Sequence, residues 1–257
     1  VIAALDKVVK PHCIIFRNDS SIRELEGLPP HIETAKGDTP ATIGLVENDT
    51  RFEFDPLSGQ KTGWFYDHRM NRRRLCQYVS GLRVLDVFSY VGGWGVQAAR
   101  AGAKEVVCVD SSQAALDHTL GNAKLNHCQS TVSIIKDDAF NALKKLHEDK
   151  QQFDVVILDP PAFIKRKKDH KQGLAAYMRA NQLAMQLLSK DGLLLSASCS
   201  YHLKSQELVD IIAKTARHLD RGAQIVEQGH QGPDHPVHPA IAETDYLKAL
   251  LLRVTRI

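Results

Sequence analysis

The chain has 257 residues, of which 43% are apolar and 25% charged, the composition of an ordinary globular protein. No apolar run approaches the roughly 18 residues that read as a membrane span, and a net charge of +3 does not by itself argue for a polyanionic partner. The five cysteines (Cys13, Cys76, Cys108, Cys128, Cys199) are odd in number, scattered and without a CxxC. They suggest neither a disulfide framework nor a zinc site, no metal is expected, and a reducing, cytoplasmic setting fits best. The opening VIAALDKVVKPH lacks the charged n-region and cleavage site of a signal peptide. The chain starts at Val1 rather than Met, so residue 1 is not expected to be the natural start.

Residues 1–60 read as a small, partial β-rich domain. IIFRND and ATIGLVENDTRFEFD suggest short strands, with Asn48-Asp49 as a hairpin turn between IGLVE and RFEFD. LEGLPP and SGQKTG are loops. Residues 61–257 form the second expected domain, in which strands and helices alternate from about Leu82. The expected strands are RVLDVF (83–88), EVVCVD (105–110), VSIIKDD (132–138), FDVVILDPP (153–161) and GLLLSASCS (192–200). Helices are expected over WGVQAARA, over AALDHTLGNAKLN after a Ser111-Ser112 cap, and over FNALKKLHED, 174–189 and SQELVDIIAKTARHL. Strands near AQIVEQ and over YLKALLLRVTRI close the chain. Apolar strands alternating with helices predict an α/β fold, a mostly parallel sheet covered on both faces. Ligands of such sheets sit at the carboxyl ends of the strands, near the switch point. Those ends carry Asp86, Asp110, Asp137-Asp138, Asp159 and Cys199.

The first turn, LDVFSYVGGWGVQAA, contains Gly92, Gly93 and Gly95 and satisfies GxGxxA. A nicotinamide site expects its first glycine almost directly after the strand, to bring pyrophosphate to a helix N-terminus. Here Asp86 lies in the strand and precedes the glycines, where it would repel pyrophosphate but could hold an amino group. The turn therefore favours S-adenosylmethionine, which has an ammonium and no phosphate. Asp110 suits the two ribose hydroxyls, against a plain reading as a helix N-terminal acid. Asp138, preferred to Asp137, suits the adenine amine, against a loop carboxylate. In LDPPAF (158–163) two prolines stiffen a loop that can hold a carboxylate and a ring against a flat base. The same motif occurs in enzymes that methylate exocyclic amines. Cys199 is open between a small buried residue and a nucleophile, whereas Cys108, inside a strand, packs. His202, His230, His235 and His238 match no standard metal spacing and read as loop or substrate contacts. RMNRRR (69–74) and KRKKDHK (165–171) are solvated surface unless they flank one site, where they would be a footprint for a polyanion.

VLDVFSYVGGWG, VVCVDSS, DDAF, LDPPAF and SASCS stand in the order of a Rossmann-like class I S-adenosylmethionine-dependent methyltransferase. With KTGWFYDHRMNRR and GPDHPVHPAIAETDYLKALLLRV, the chain resembles, from about Ser21 to its end, the bacterial 23S rRNA (cytosine-5-)-methyltransferase group of the RlmI type. That resemblance implies a seven-stranded sheet, S-adenosyl-L-methionine as cofactor, and RNA (23S rRNA or a large-subunit precursor) as partner, with no membrane. A homodimer is compatible with it. Full-length members carry an N-terminal PUA-type domain and a middle β-rich domain; the first is expected to be absent here and the second truncated. Carried over by motif, the donor would be held by Asp86, Phe88, Ser89, Tyr90, Gly92, Gly93, Asp110, Ser111, Asp138, Ala139 and Asp159. Substrate contacts fall on Pro160, Pro161, Phe163, Arg69, Arg72, Lys165 and Arg166, and catalysis on Cys199 and Asp159. Where another RNA cytosine-methylating group has a second cysteine beside its DPP-like motif, this chain has Ala162. Two rivals stand beside this reading. One is a guanine- or amine-directed methyltransferase in which Cys199 packs. The other is a non-catalytic RNA-binding module with the same fold.

Overall fold

The structure, a computed structural model, describes residues 1–20, 22–57 and 63–256. Ser21, the loop residues 58–62 and the expected domain boundary between 60 and 61 lie outside the described residues. The chain forms two compact units, one of Val1–Leu45 with Glu53–Phe65, the other of Val46–Phe52 with Tyr66–Ile257.

The first unit contains α1 (Ile2–Val8), β1 (Ile14–Asn18), α2 (Ile22–Leu25) and β2 (His31–Lys36). β1 and β2 pair antiparallel, with Asn18 opposite His31 and an irregularity between Ile14 and Ile15. β1 matches the expected IIFRND strand, whereas β2, α1 and α2 were not expected. β2 is the polar run HIETAK, and α1 buries no side chain, so neither carries a clear apolar period. β3 (Ile43–Glu47) and β4 (Thr50–Phe54) pair as the expected hairpin. Its turn residues Asn48 and Asp49 have φ of 50° and 61°, left-handed values that these two residue types tolerate best after glycine. The hairpin tip, Val46–Phe52, belongs to the second unit.

The second unit continues with α3 (Arg69–Leu75), β5 (Arg83–Val87), α4 (Gly95–Arg100), β6 (Glu105–Asp110), α5 (Gln113–Leu125) and β7 (Val132–Lys136). Next come α6 (Ala139–Glu148), β8 (Phe153–Leu158), α7 (His170–Leu187), β9 (Leu188–Ser198), α8 (Ser205–His218), β10 (Arg221–Gly229) and β11 (Lys248–Arg256). The seven strands lie in the order β10-β11-β9-β8-β5-β6-β7. β5 pairs parallel with β6 and β8, β6 with β7, and β8 with β9, while β11 runs antiparallel between β9 and β10. This is the α/β arrangement expected from the alternation of elements.

Successive strand residues face opposite sides of a sheet. Leu85, Val87, Val107, Val109, Val156, Leu158 and Leu194 belong to one buried cluster with residues of α6, α7 and α8. Asp86, Val106 and Cys108 face the other side, where α4 lies so close that a Cβ on Gly95 would stand 2.5 Å from Cys108 Sγ. Cys108 is fully buried, as expected of a packing cysteine. The parallel strands all end on one rim of the sheet. From β5 the chain passes to β6 and β7 on one side and later to β8 and β9 on the other, so the switch point falls between β5 and β8. Several boundaries differ from expectation. α7 starts at His170 because a 3-10 turn over Lys167–Asp169 leads straight into it. β9 starts at Leu188, where the backbone passes from helix to extended without a linker, and it ends at Ser198 because Ser200 and Leu203 turn the chain.

Candidate active site

The turn after β5 is built on left-handed backbone. Phe88, Tyr90 and Gly92 have φ of 66°, 50° and 82°. Such values are costly for an aromatic residue and persist only where the surroundings fix them. Tyr90 donates its backbone N–H to Asp110 Oδ2 at 2.9 Å, and its carbonyl accepts from Thr119 Oγ1 at 3.0 Å. Asn122 Nδ2 donates to the Val91 carbonyl at 3.0 Å. Gly92 admits no side chain, because a Cβ there would meet Thr119 Cγ2 at 2.8 Å. Asp86 is fully buried and accepts from the Gly95 N–H at 2.8 Å through Oδ2. Its Oδ1 and the Ser89 hydroxyl are buried with no hydrogen-bond partner among the described residues. Burial pushes the Asp86 carboxyl up to about 7, and the charges of Asp159 and Asp110 push in the same direction. Three strand-end carboxylates therefore share one electrostatic neighbourhood.

Asp110 accepts the Ser112 N–H through Oδ1 at 2.9 Å, so it organises both its own turn and that of Tyr90. Ser112 rather than Ser111 caps α5, and Ser111 is exposed. Asp138 caps α6, its Oδ1 accepting from Phe140 N at 3.0 Å and Asn141 N at 3.2 Å, with Ala139 buried beside it. The plain alternative expected for Asp138 was a loop carboxylate; the structure makes it the cap of α6.

Asp159 follows β8. Trp94 Nε1 donates to its Oδ2 at 2.9 Å, and His68 Nε2 lies 3.2 Å from Oδ1, an ion-pair distance without hydrogen-bond alignment. Burial acts to raise the Asp159 carboxyl. The charge that His68 carries when protonated, the Trp94 bond and Arg72 outweigh it, and the group is held below the usual carboxylate range. Pro160 is buried and Pro161 exposed. The Phe163 ring packs against Phe88, Phe140 and Tyr177, with centroids at 6.2, 6.1 and 4.9 Å.

Cys199 follows β9 and is half-buried. Its neighbours are tied to the loop after β8. Tyr177 and Ser198 share a 2.7 Å hydroxyl bond, Phe163 N donates to Tyr177 at 3.4 Å, and Ser200 Oγ donates to the Ile164 carbonyl at 2.5 Å. Burial pushes Tyr177 up to about 12, and the charges of Cys199 and Asp159 act in the same direction. The two segments expected to carry chemistry, LDPPAF and SASCS, are thus one hydrogen-bonded construction.

The basic residues divide. Lys165 and Arg166 are exposed, and Arg69 is half-exposed with Nη2 3.3 Å from Asp234. Arg72, expected to meet substrate phosphate, does not reach a surface. It is 3% exposed and holds Glu47 in a two-pronged ion pair at 2.6 and 3.0 Å. Gln97 Nε2 also donates to Glu47 at 2.8 Å. Arg72 sits on the inward face of α3, and Arg73, one residue on, is exposed. Beyond Cys199, the residues Tyr201, His202 and Lys204 line an open cleft together with Lys167, His230 and His238.

Sequence reasoning did not single out Asp67, His68, Trp94, Tyr177, Tyr246 or Lys248. His68 lies in the TGWFYDHR motif, whose Thr62 is outside the described residues. Trp94 lies inside a fingerprint read only for its glycines. Tyr246 OH donates to Asp67 Oδ2 at 3.0 Å, and Asp67 Oδ1 accepts the His68 N–H, which steadies the imidazole beside Asp159.

A family model described as S-adenosylmethionine-dependent methyltransferase matches residues 25–253. The chain belongs to that family. It is 40% identical over 250 residues to the ribosomal RNA large subunit methyltransferase I of Aeromonas salmonicida, covering 96% of this chain and 63% of that protein. The enzyme of the same name from Aliivibrio fischeri is 37% identical over 247 residues, covering 95% and 62%. This methyltransferase chain thus spans a little under two thirds of the length of those relatives. Among solved structures, SMU.776 complexed with SAH superposes with a TM-score of 0.83 at 21% identity, covering 98% of this chain and 64% of that one. The M. jannaschii tRNA m1G37 methyltransferase superposes with a TM-score of 0.69 at 17% identity, covering 99% and 67%. At such identities the likeness is one of fold.

Proposed function

We propose that the chain methylates large-subunit ribosomal RNA, forming 5-methylcytosine through a covalent bond between Cys199 and the base. The observation that carries this reading is the hydrogen-bonded junction of the Cys199 strand end with the Asp159 loop. It brings a thiol and an ionised carboxylate to one rim of the sheet, beside the turn that suits the methyl donor.

The turn fits S-adenosylmethionine. The unpartnered Asp86 Oδ1 suits an ammonium, the left-handed backbone at Phe88, Tyr90 and Gly92 turns the chain sharply at the strand end, and Asp110 suits two ribose hydroxyls. When bound, the donor supplies an electrophilic methyl group on a sulfonium. Ionised Asp86 suits the donor's ammonium, whereas the free site favours the proton. Ammonium and proton therefore compete for one carboxylate.

The remaining chemistry belongs to the protein. C5 of cytosine is a weak nucleophile until C6 carries an added group. Cys199, as thiolate, adds to C6 and makes C5 enamine-like; after C5 is alkylated, loss of its proton and expulsion of the thiolate restore the ring. Asp159 is held ionised, so it accepts rather than donates. It takes the N4–H edge of the base and stabilises a proton at N3 as charge develops. The target base must leave its stack to reach this rim. Lys165, Arg166 and the cleft beyond Cys199 suit the phosphates on either side of it.

Mass spectrometry of nucleosides from 23S rRNA incubated with the chain and S-adenosylmethionine tests the proposal. The expected product is 5-methylcytidine, absent with Cys199→Ala. A methylated guanosine or a methylated exocyclic amine, formed equally by Cys199→Ala, would transfer the site to the rival chemistry. RNA binding without any product would leave only the binding module.

A further inference from the structure

The thiol of Cys199 has no second cysteine beside the Asp159 loop to assist it, and a buried cation stands where assistance is needed. Lys248 opens β11 and is 8% exposed. Its Cα pairs in register with Ser198. Its Nζ donates to the Ser200 carbonyl at 2.7 Å and to the Tyr246 carbonyl at 2.8 Å. The backbone pairing lies just before Cys199 in the chain and the Nζ contact with Ser200 just after it, so Lys248 stands alongside the strand end that carries the cysteine. An ammonium has three N–H donors, and two carbonyls account for two of them.

Two carbonyls need donors, not a charge. A neutral amide would satisfy them without the desolvation that a buried ammonium incurs. A full positive charge here needs an anion to face. The ionisable groups in reach are Asp245 beside it in the chain, Glu207 on α8 and Cys199 itself. Tyr177 of α7 and Tyr246 also lie within electrostatic reach of Cys199; their hydroxyls are engaged by Ser198 and by Asp67 and supply no positive charge. Burial pushes Lys248 down, while Asp245, Cys199 and Glu207 work to keep it charged.

We infer that Lys248 is a positioning residue whose ammonium is the counter-charge of the Cys199 thiolate. It holds the sulfur ionised before the base arrives and receives it again as leaving group. The inference rests on Cys199 being the nucleophile, but its test does not involve methyl transfer, so the two fail separately.

The test follows alkylation of the Cys199 peptide by iodoacetamide against pH, read by mass spectrometry so that the other four cysteines are scored apart. In the wild-type chain the rate should rise through a midpoint below that of a free thiol, about 8.5. Lys248→Gln keeps donors for the two carbonyls without the charge. Its midpoint should move up by about one pH unit, roughly a tenfold loss of thiolate at a fixed lower pH. Lys248→Arg should restore the wild-type profile. A Lys248→Gln profile identical to wild type would overturn the inference. Should that variant not fold, the reciprocal measurement decides. Coupling between two titrating groups acts equally on both, so the Nζ resonance of Lys248 should titrate at lower pH in Cys199→Ser than in wild type. An unchanged titration would overturn the inference as well.

Discussion

Ser200 donates its hydroxyl to the carbonyl of Ile164 at 2.5 Å, and this bond fastens the strand end that carries Cys199 to the loop that carries Asp159. Ser200 is 1% exposed, so no water stands ready to replace it. Removing the hydroxyl leaves a buried carbonyl without its donor, a loss of about 1–3 kcal/mol. Ser200→Ala should therefore lower the unfolding midpoint and reduce single-turnover methylation about tenfold, because sulfur and carboxylate lose their common support. Unchanged melting and turnover would show the two segments to be independent.

The Asp86 carboxyl titrates at about 7 in the fold against 3.8 in an ordinary aspartate. Folding therefore takes up a proton between those values. The stability linked to this group is complete below about 4 and lost as pH rises through about 7. Asp86→Asn keeps the acceptor for the Gly95 N–H and removes the titration. Thermal melts of the ligand-free chain from pH 5 to 8 should fall less steeply for the variant than for wild type. Calorimetry at pH 8 should show S-adenosylmethionine binding weakened about tenfold or more by loss of the charge-assisted bond. Undiminished binding would remove Asp86 from the ammonium site.

Arg72 is assigned to the interior by its pair with Glu47. Breaking a buried pair from one side leaves an uncompensated charge and costs about 3–5 kcal/mol. Arg72→Ala should show that loss in denaturant unfolding. A residue that held phosphate would instead leave stability intact and raise KM for RNA.

Lys165 and Arg166 are exposed and suited to phosphate. For single-stranded RNA each neutralised phosphate contributes about 0.7 to the slope of log affinity against log salt. Lys165→Gln combined with Arg166→Gln should flatten that slope by about 1.4, with the chemical step unchanged. An unaltered slope would place the RNA elsewhere.

Much of the second unit is legible because its strands are continuous apolar runs between helical periods. RVLDV, EVVCVD and FDVVIL can be little else than strands buried on both faces. Once they alternate with helices, the parallel order follows, and with it the rim on which Asp86, Asp110, Asp159 and Cys199 meet. The junction of α7 with β9 was not legible, because no glycine or proline separates Leu187 from Leu188. β2 was missed because its residues are polar on both faces. Arg72 was misread because three consecutive arginines on a short helix give no sign of which one turns inward. His68 and Lys248 escaped notice for a different reason: their partners, Asp159 and Ser200, lie far away in the chain, and only the closed sheet brings them together.

The central claim is the bond between Cys199 and the base. RNA carrying 5-fluorocytidine tests it most directly, since fluorine at C5 leaves no proton to remove and the adduct cannot be resolved. Incubated with this chain and S-adenosylmethionine, such RNA should yield a stable complex whose intact mass equals protein plus RNA plus one methyl group, with the cross-link mapped to the Cys199 peptide. Failure to form any adduct, while unmodified RNA is still methylated at C5, would contradict the account.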